Sequence, residues 1–401
     1  MKIVLSCRGS RGDVQPMIEI AAGLARAGHA VRLCLPATFA AQARARGVEP
    51  VASSEDSHGV MRRFGAGWQA ARQAMDWFSD TVDEQFELLL AESAGADVLV
   101  SSVNETAAPS VAEHRGLAYF RVAYAPILPG GQPPPLLPWQ WLPAAANRLA
   151  WRAVNAGVGL IARRRVDRWR RRLGLGPMGP TADYFAGRAH TLLAINRSLA
   201  PPRNDWQHRY SYTGYCHPPV GAELDPALER FLAAGPPPVY LGFGSVNLAD
   251  PAGFTRRVLG AVARAGLRAV LGAGWAGLGE RDLPAGVRLV GDVDHARLFT
   301  RLAGVAHHGG SGTLHTAARA GVPQFVMPQI ADQFYWGARV ERLGLGPAPA
   351  APGRLGRAEL AARLAALAAD GGYRERARAL AQRVARDRGV ERAVAAISRA
   401  A

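Results

Sequence analysis

The sequence predicts an α/β protein built from two doubly wound, Rossmann-like domains with parallel sheets. Three observations carry this. The chain has 401 residues, more than one ordinary core accommodates. Short apolar runs alternate with segments whose apolar residues recur at helical spacing, the pattern of βαβ units. That alternation lapses in a proline-rich stretch at 201–238 and then restarts. The 49% hydrophobic and 20% charged content is that of a globular chain.

Residues 2–6 (KIVLS) read as a buried strand. From Pro16 to about Ala27, Met17, Ile20, Ala21 and Leu24 share one helical face, Gly28 stops the helix, and HAVRLCLP forms the next strand. ADVLVSS (96–102) and LAYFRVAY (117–124) are later strands, with a helix near 106–115 between them. Residues 126–143 are rich in proline and glycine and carry Trp139 and Trp141, a loop too long for a mere connection. A helix with seven arginines in 163–172 follows, and TLLAINRS (191–198) reads as the last strand of the first half. The second half offers strands at 238–245, 268–274, 287–292, 304–310 and 323–328.

The formal charge is +16, almost all of it arginine, with Lys2 the single lysine. Such a bias fits genome composition, an anionic small ligand or an anionic membrane surface, and the reading is no nucleic acid. Cys7, Cys34 and Cys216 make no CxxC pair, which argues against a disulfide framework or zinc site and fits a reducing, cytoplasmic setting. No 18-residue apolar span occurs, so a membrane-spanning helix is not expected.

HHGGSGTLHTAARAGVPQFVMPQIADQFYWG (307–337) carries the clearest chemistry. A strand ends at the histidine pair. Gly309, Gly310 and Gly312 let backbone approach a ligand, and Ser311 and Thr313 open a helix whose free N–H groups suit phosphate. His307 adds a donor. There is no Gly-Lys-Ser/Thr, so this is not a P-loop. Asp332 and Gln333 follow the next strand, at the carboxyl edge where such sheets bind ligands, and suit sugar hydroxyls.

This segment resembles the donor-sugar signature of the family 1 glycosyltransferases, which have the GT-B fold. GSRGDVQP near the N-terminus, TGYCHPP (213–219), GPPPVYLGFGS (235–245) and LFTRLAGVAHHGG (298–310) resemble the branch with the sterol and lipid glucosyltransferases and the glycopeptide-antibiotic enzymes. The resemblance covers nearly the full length. It implies an acceptor-binding domain at 1–200, a linker at 201–236, a nucleotide-sugar domain at 237–385 and a C-terminal helix, 386–401, returning to the first domain. It implies a UDP- or dTDP-hexose bound by His307, Gly309, Gly310, Ser311, Gly312 and Thr313. Ser245 would face the phosphates, Val293 the nucleobase, and Asp332 and Gln333 the hexose. Ser10, Arg11 and Gly12 would meet the donor from the other domain. Plant relatives have a ribose-binding glutamate where this chain has His315, so the base is not fixed.

Direct displacement with inversion needs a base for the acceptor hydroxyl. The first loop holds no histidine, and Asp13 is its only proton acceptor. The alternative for Asp13 is a helix cap or a partner of Arg11. The glycopeptide-antibiotic members resemble this chain in their GSRGD context, and that makes Asp13 the expected base. Trp77, Pro135, Leu136, Trp139 and Trp141 suggest an apolar or aromatic aglycone. GAGWAG (272–277) is discounted as a dinucleotide motif, and Asp292 and Asp294 as a metal-binding DxD; no metal and no cofactor are expected. The Arg163–Arg172 helix would allow peripheral membrane contact, and the chain would be a monomer or homodimer. The competing readings are a non-catalytic nucleotide-sugar-binding helper and a GT-B epimerase or hydrolase.

Overall fold

The computed structural model describes residues 1–54, 73, 76–243, 250–272 and 283–400. Seven strands form the N-terminal sheet: β1 (Lys2–Ser6), β2 (Ala30–Pro36), β3 (Pro50–Ser53), β4 (Val98–Ser102), β5 (Ala118–Ala123), β6 (His190–Leu193) and β7 (Tyr210–Tyr212). They lie in the order β3-β2-β1-β4-β5-β6-β7, and every pair is parallel. The C-terminal sheet has β8 (Val239–Gly242), β9 (Ala269–Gly272), β10 (Val287–Val290), β11 (Gly304–His307) and β12 (Gln324–Val326), in the order β10-β9-β8-β11-β12, again parallel. Central strands such as β4 and β8 are buried at every position, as parallel strands covered on both faces must be.

Each order reverses once, between β1 and β4 in the first sheet and between β8 and β11 in the second. The loops leaving these strands splay apart and leave a crevice at the carboxyl edge. The two crevices face each other, so one cleft collects the loops of both switch points.

The segment at 201–238 is not a plain linker: Tyr210–Tyr212 pairs with β6 as the outermost strand, and a helix follows at Pro226–Ala233. Three residues are too few for an alternation signal, which is why 191–198 looks like the last strand. The arginine-rich helix is longer than its sequence signature, Ala144–Arg172, 29 residues.

An apolar cluster joins the domains: Leu193, Ile195, Trp206 and Tyr212 of the first meet Leu314, Tyr335, Trp336 and Val340 of the second. The Asn196 N–H donates to His315 Nε2 at 3.2 Å, and Asn196 Nδ2 donates to Asp387 at 2.7 Å. The C-terminal helix, Gly389–Ser398, packs its Ala393 and Ile397 into the core of the N-terminal domain beside Ile18 and Ile20. Gly23 makes that approach possible, since a Cβ there would sit 2.8 Å from Val394 and 2.9 Å from Val390.

Candidate functional site

The first helix, α1 (Arg11–Arg26), begins five residues before Pro16. Ser10 is its N-cap and Asp13 its third residue. The Ser10 N–H and hydroxyl donate to Asp13 Oδ2 at 2.9 and 3.0 Å, a capping box. The capping interaction foreseen as an alternative to catalysis is therefore present, and it also aims the carboxyl into the cleft. Gly9, at φ +109°, makes the turn; a Cβ there would lie 2.7 Å from Asp13 Oδ2. Beneath the loop, buried Arg8 pairs with Glu84 at 2.9 Å and Glu105 at 3.7 Å. The Tyr124 hydroxyl ties the Asp13 carbonyl to β5 at 2.8 Å. Burial pushes the Asp13 carboxyl up to about 6, against the bonds from Ser10 and Asn104 that favour its anion.

Across the cleft, Gly309 (φ +96°) turns the chain from β11 into α2 (Ser311–Ala320), with Gly310 as N-cap. The first-turn N–H groups of Ser311, Gly312 and Thr313 have no intrahelical acceptor, and all three residues line the cleft. Asp332 starts the next helix, α3 (Gln333–Arg342), and accepts from Trp336 Nε1 at 2.9 Å. Burial raises its carboxyl to about 7, and the Asp13 charge adds to that. The two carboxyls thus face each other from opposite domains. Ala331, just before, sits at φ +53°, a strained setting for a residue with a Cβ. Gln333 Oε1 accepts from the N–H groups of Gln329 (2.8 Å) and Ile330 (3.2 Å), so its carbonyl shapes the loop and only its amide NH₂ can face a ligand.

The cleft has a volume of about 1890 Å³. It brings together Ser10, Arg11, Gly12, Asp13, Trp77, Pro135, Leu136, Val293, Gly310, Ser311, Gly312, Thr313, Asp332 and Gln333 of the sequence-predicted residues. Arg11 bonds Asp292 at 2.7 Å, joining the two lips of the cleft rather than pairing with Asp13. Asp294 caps a short helix at Ala296 N (2.7 Å), so each DxD carboxylate has a structural partner.

Three expectations need correction. His307 has 0% exposure: Nε2 meets Gln324 Oε1 at 3.0 Å and Nδ1 accepts from Gly309 N–H at 3.1 Å, so both ring nitrogens are used inside the wall. Its neighbour His308 lines the cleft instead. Trp139 and Trp141 stand 53% and 75% exposed on the outside of their loop and do not line the cleft. That loop is pinned by its polar groups: Gln140 donates to the Pro134 carbonyl, Asn147 to those of Gly131 and Leu142, and Trp151 to that of Gln132. Four of the seven helix arginines are used within the domain: Arg165 on Asp80, Arg168 on Asp83, Arg170 on Glu113 and Arg163 on the Gly179 carbonyl. Three of these partners are carboxylates, so less than half of the run's positive charge is neutralised within the domain. No helix among the described residues is long and apolar enough to cross a membrane.

Gly309 lies behind the wall as the turn residue. A Cβ on it would come within 2.7 Å of Val326 and 3.2 Å of the Gln333 backbone. Ser245 and most of GAGWAG lie outside the described residues. His315, at the position of the plant glutamate, is buried and holds the domains together, stacked on Tyr215 at 4.7 Å. Sequence reasoning missed the polar end of the cleft, where buried Glu19 takes Arg46 Nη2 at 2.8 Å and Gln15 at 2.9 Å. Glu19 lies on the side of α1 opposite the Met17, Ile20, Ala21 and Leu24 face, so the helical pattern gave no signal that it is buried.

Because the tryptophans lie outside, Trp139→Ser and Trp141→Ser are expected to leave the acceptor KM within about twofold. Leu136→Ser, on the cleft wall, should raise it by about tenfold, the effect of removing one buried aliphatic contact of about 1.5 kcal/mol. Steady-state kinetics of the three variants checks this.

The chain matches known proteins over most of its length. Residues 3–128 match the glycosyltransferase family 28 N-terminal domain, and residues 257–395 match the erythromycin biosynthesis protein CIII-like C-terminal domain. Vancomycin aglycone glucosyltransferase of Amycolatopsis orientalis is 34% identical over 368 residues, covering 88% of this chain and 86% of its own. A sterol 3-beta-glucosyltransferase of Arabidopsis thaliana is 30% identical over 372 residues, covering 87% of this chain and 60% of its own. Among solved structures, the glycosyltransferase of kitacinnamycin superposes with a TM-score of 0.79 at 22% identity, over 100% of this chain and 98% of that one. Glycosyltransferase VinC in complex with dTDP superposes with 0.69 at 18% identity, over 100% and 99%.

Proposed function

The chain belongs to the GT-B glycosyltransferases, with vancomycin aglycone glucosyltransferase and the sterol glucosyltransferases among its relatives, and we propose that it moves a hexose from a UDP- or dTDP-sugar to a hydroxyl of a hydrophobic aglycone. The observation that carries this reading is the facing of Asp13 and the Ser311–Thr313 helix start across one cleft. Leaving group and nucleophile need opposite electrostatics, and the two lips supply them.

In this reading the diphosphate sits on the N–H groups of Ser311, Gly312 and Thr313, where the helix carries partial positive charge. His308 stands beside it. Burial holds its imidazole down to about 4, while the Gly242 carbonyl favours the charged ring. A diphosphate adds to that preference, and the ring N–H donates a hydrogen bond to the leaving group as negative charge builds on it. Val293 flanks the base, and Asp332 and the Gln333 NH₂ hold hexose hydroxyls.

The acceptor lies against Trp77, Pro135 and Leu136, with its hydroxyl at Asp13. The hydroxyl oxygen forms a bond to the anomeric carbon as the carbon–phosphate-oxygen bond breaks. The proton passes to Asp13, the bonding pair leaves with the nucleoside diphosphate, and a single displacement inverts the anomeric centre.

Incubating the protein with UDP-glucose or dTDP-glucose and a panel of sterol, polyketide and peptide aglycones tests this. The expected product is aglycone plus one hexose by mass spectrometry, with a β-linkage from an α-configured donor by NMR. Release of free sugar without any aglycone product would instead make it a hydrolase. Nucleotide binding without turnover of any donor would make it a helper.

A further inference from the structure

A second concavity lies on the N-terminal domain. Its volume is about 930 Å³. One side is β5, β6 and β7; the other is the C-terminal helix Gly389–Ser398 with the residues just after it. It shares no lining residue with the cleft.

Its lining is five arginines to one carboxylate, against 48 basic to 32 acidic residues in the whole chain. Arg188 and Arg197 flank β6, and Arg209 precedes β7. Arg392 and Arg399, seven residues apart, fall on one side of the helical run. The carboxylate, Glu113, is already held by Arg170 at 3.0 Å and reaches Arg188 only at 3.7 Å. Arg197 lies over the Tyr212 ring at 5.1 Å. Arg392 sits 3.8 Å from Asp387. The Arg209 and Arg399 side chains have no ion pair or hydrogen bond among the described residues. Both nevertheless act on His190: after burial, their charges are what hold its imidazole below its ordinary range. The positive potential therefore converges inside the groove. Like charges lining one groove repel unless an anion offsets them.

Between the two helix arginines, Ala395 and Ala396 leave the space open. Tyr210 and Tyr212 supply aromatic wall. Among the described residues, the exposed large apolar side chains, including Trp139, Trp141, Leu149 and Leu160, all lie elsewhere. A bilayer-docking surface would carry such residues; this groove has none. We propose that it binds a small soluble anion with two or more phosphate groups, gripped by Arg209 and Arg399 and closed by Arg188, Arg197 and Arg392. Guanidinium forks match phosphate oxygens in pairs, and five of them around one groove suit a polyphosphate better than a single charge.

Isothermal titration of inorganic tripolyphosphate into the full chain, saturated beforehand with dTDP, tests this. One binding event is expected, at least tenfold weaker in Arg209→Gln/Arg399→Gln. The control Arg256→Gln/Arg264→Gln removes the same charge from an exposed helix of the other domain and should stay within twofold. Thermal melts confirm that both double variants fold. The proposal is overturned if wild type shows no event or if both double variants weaken equally. Binding of anionic phospholipid vesicles without binding of tripolyphosphate would also overturn it.

Discussion

Asp13→Asn is expected to lower transfer by about 10²–10⁴, the usual worth of a positioned general base, while the dissociation constant for UDP or dTDP stays within about twofold. The substitution is chosen to separate two roles. An asparagine oxygen still accepts the bonds that Ser10 places on Oδ2 at 2.9 and 3.0 Å, so the capping box and the start of α1 survive. Only proton acceptance is lost. Ser10→Ala does the reverse: it removes a capping hydroxyl, worth about 1 kcal/mol of stability, and leaves the carboxylate in place. A fall in transfer with Ser10→Ala as deep as with Asp13→Asn would make the carboxyl a structural cap.

The pH dependence gives a second readout. A base works in its ionised form, and burial sets the Asp13 carboxyl at about 6. In wild type kcat/KM is expected to rise with pH through about 6 and to level off above it; below, the carboxyl is protonated and cannot accept. The rise should vanish in the residual activity of Asp13→Asn. Asp332 titrates higher, at about 7, in part because it feels the charge of Asp13. Between these values Asp13 is the more ionised of the two carboxyls, which suits it to the proposed role of proton acceptor. The order follows from their partners: the Asp13 anion accepts from Ser10 twice and from Asn104, whereas Asp332 accepts from Trp336 and also feels the charge of Asp13.

How much of this was legible beforehand depended on the range of the forces involved. The sheets were legible because each buried strand is a local apolar run, and the site loops because glycine, serine and carboxylate cluster where strands end. Both sets of loops reach one cleft through topology, which alternation announces. What failed was direction. Adjacent His307 and His308 are indistinguishable as letters, yet Gly309 at φ +96° turns the chain between strand and helix, so that one ring points into the wall and the other into the cleft. Trp139 and Trp141 read as acceptor contacts from composition, but their loop is fixed by the hydrogen bonds of Gln140 and Asn147, partners no pattern reveals. The arginine helix read as a solvated or membrane-facing charge run; Asp80, Asp83 and Glu113, distant in sequence, take up part of its charge.

That difference in direction gives the second large effect. His308→Ala is expected to lower kcat by about 10²–10³, the loss seen when one preorganised donor to a developing anion is removed. The folded state should lose only the bond to the Gly242 carbonyl, since His308 Nδ1 has no hydrogen-bond partner among the described residues and the ring lines the cleft. His307→Ala should behave in the opposite way. It leaves the Gln324 amide and the Gly309 N–H without their partner inside the wall, at about 1–3 kcal/mol for each unsatisfied buried group, and it opens a cavity behind β11. The melting temperature should fall by several degrees, while the kcat of the protein that remains folded stays within about tenfold of wild type. His307→Gln, which can still bond Gln324, should recover part of the melting temperature. Circular dichroism melts with single-turnover rates on the same samples separate the two cases. A His307 variant of normal stability and collapsed kcat, beside an active His308→Ala, would return the leaving-group role to the buried ring.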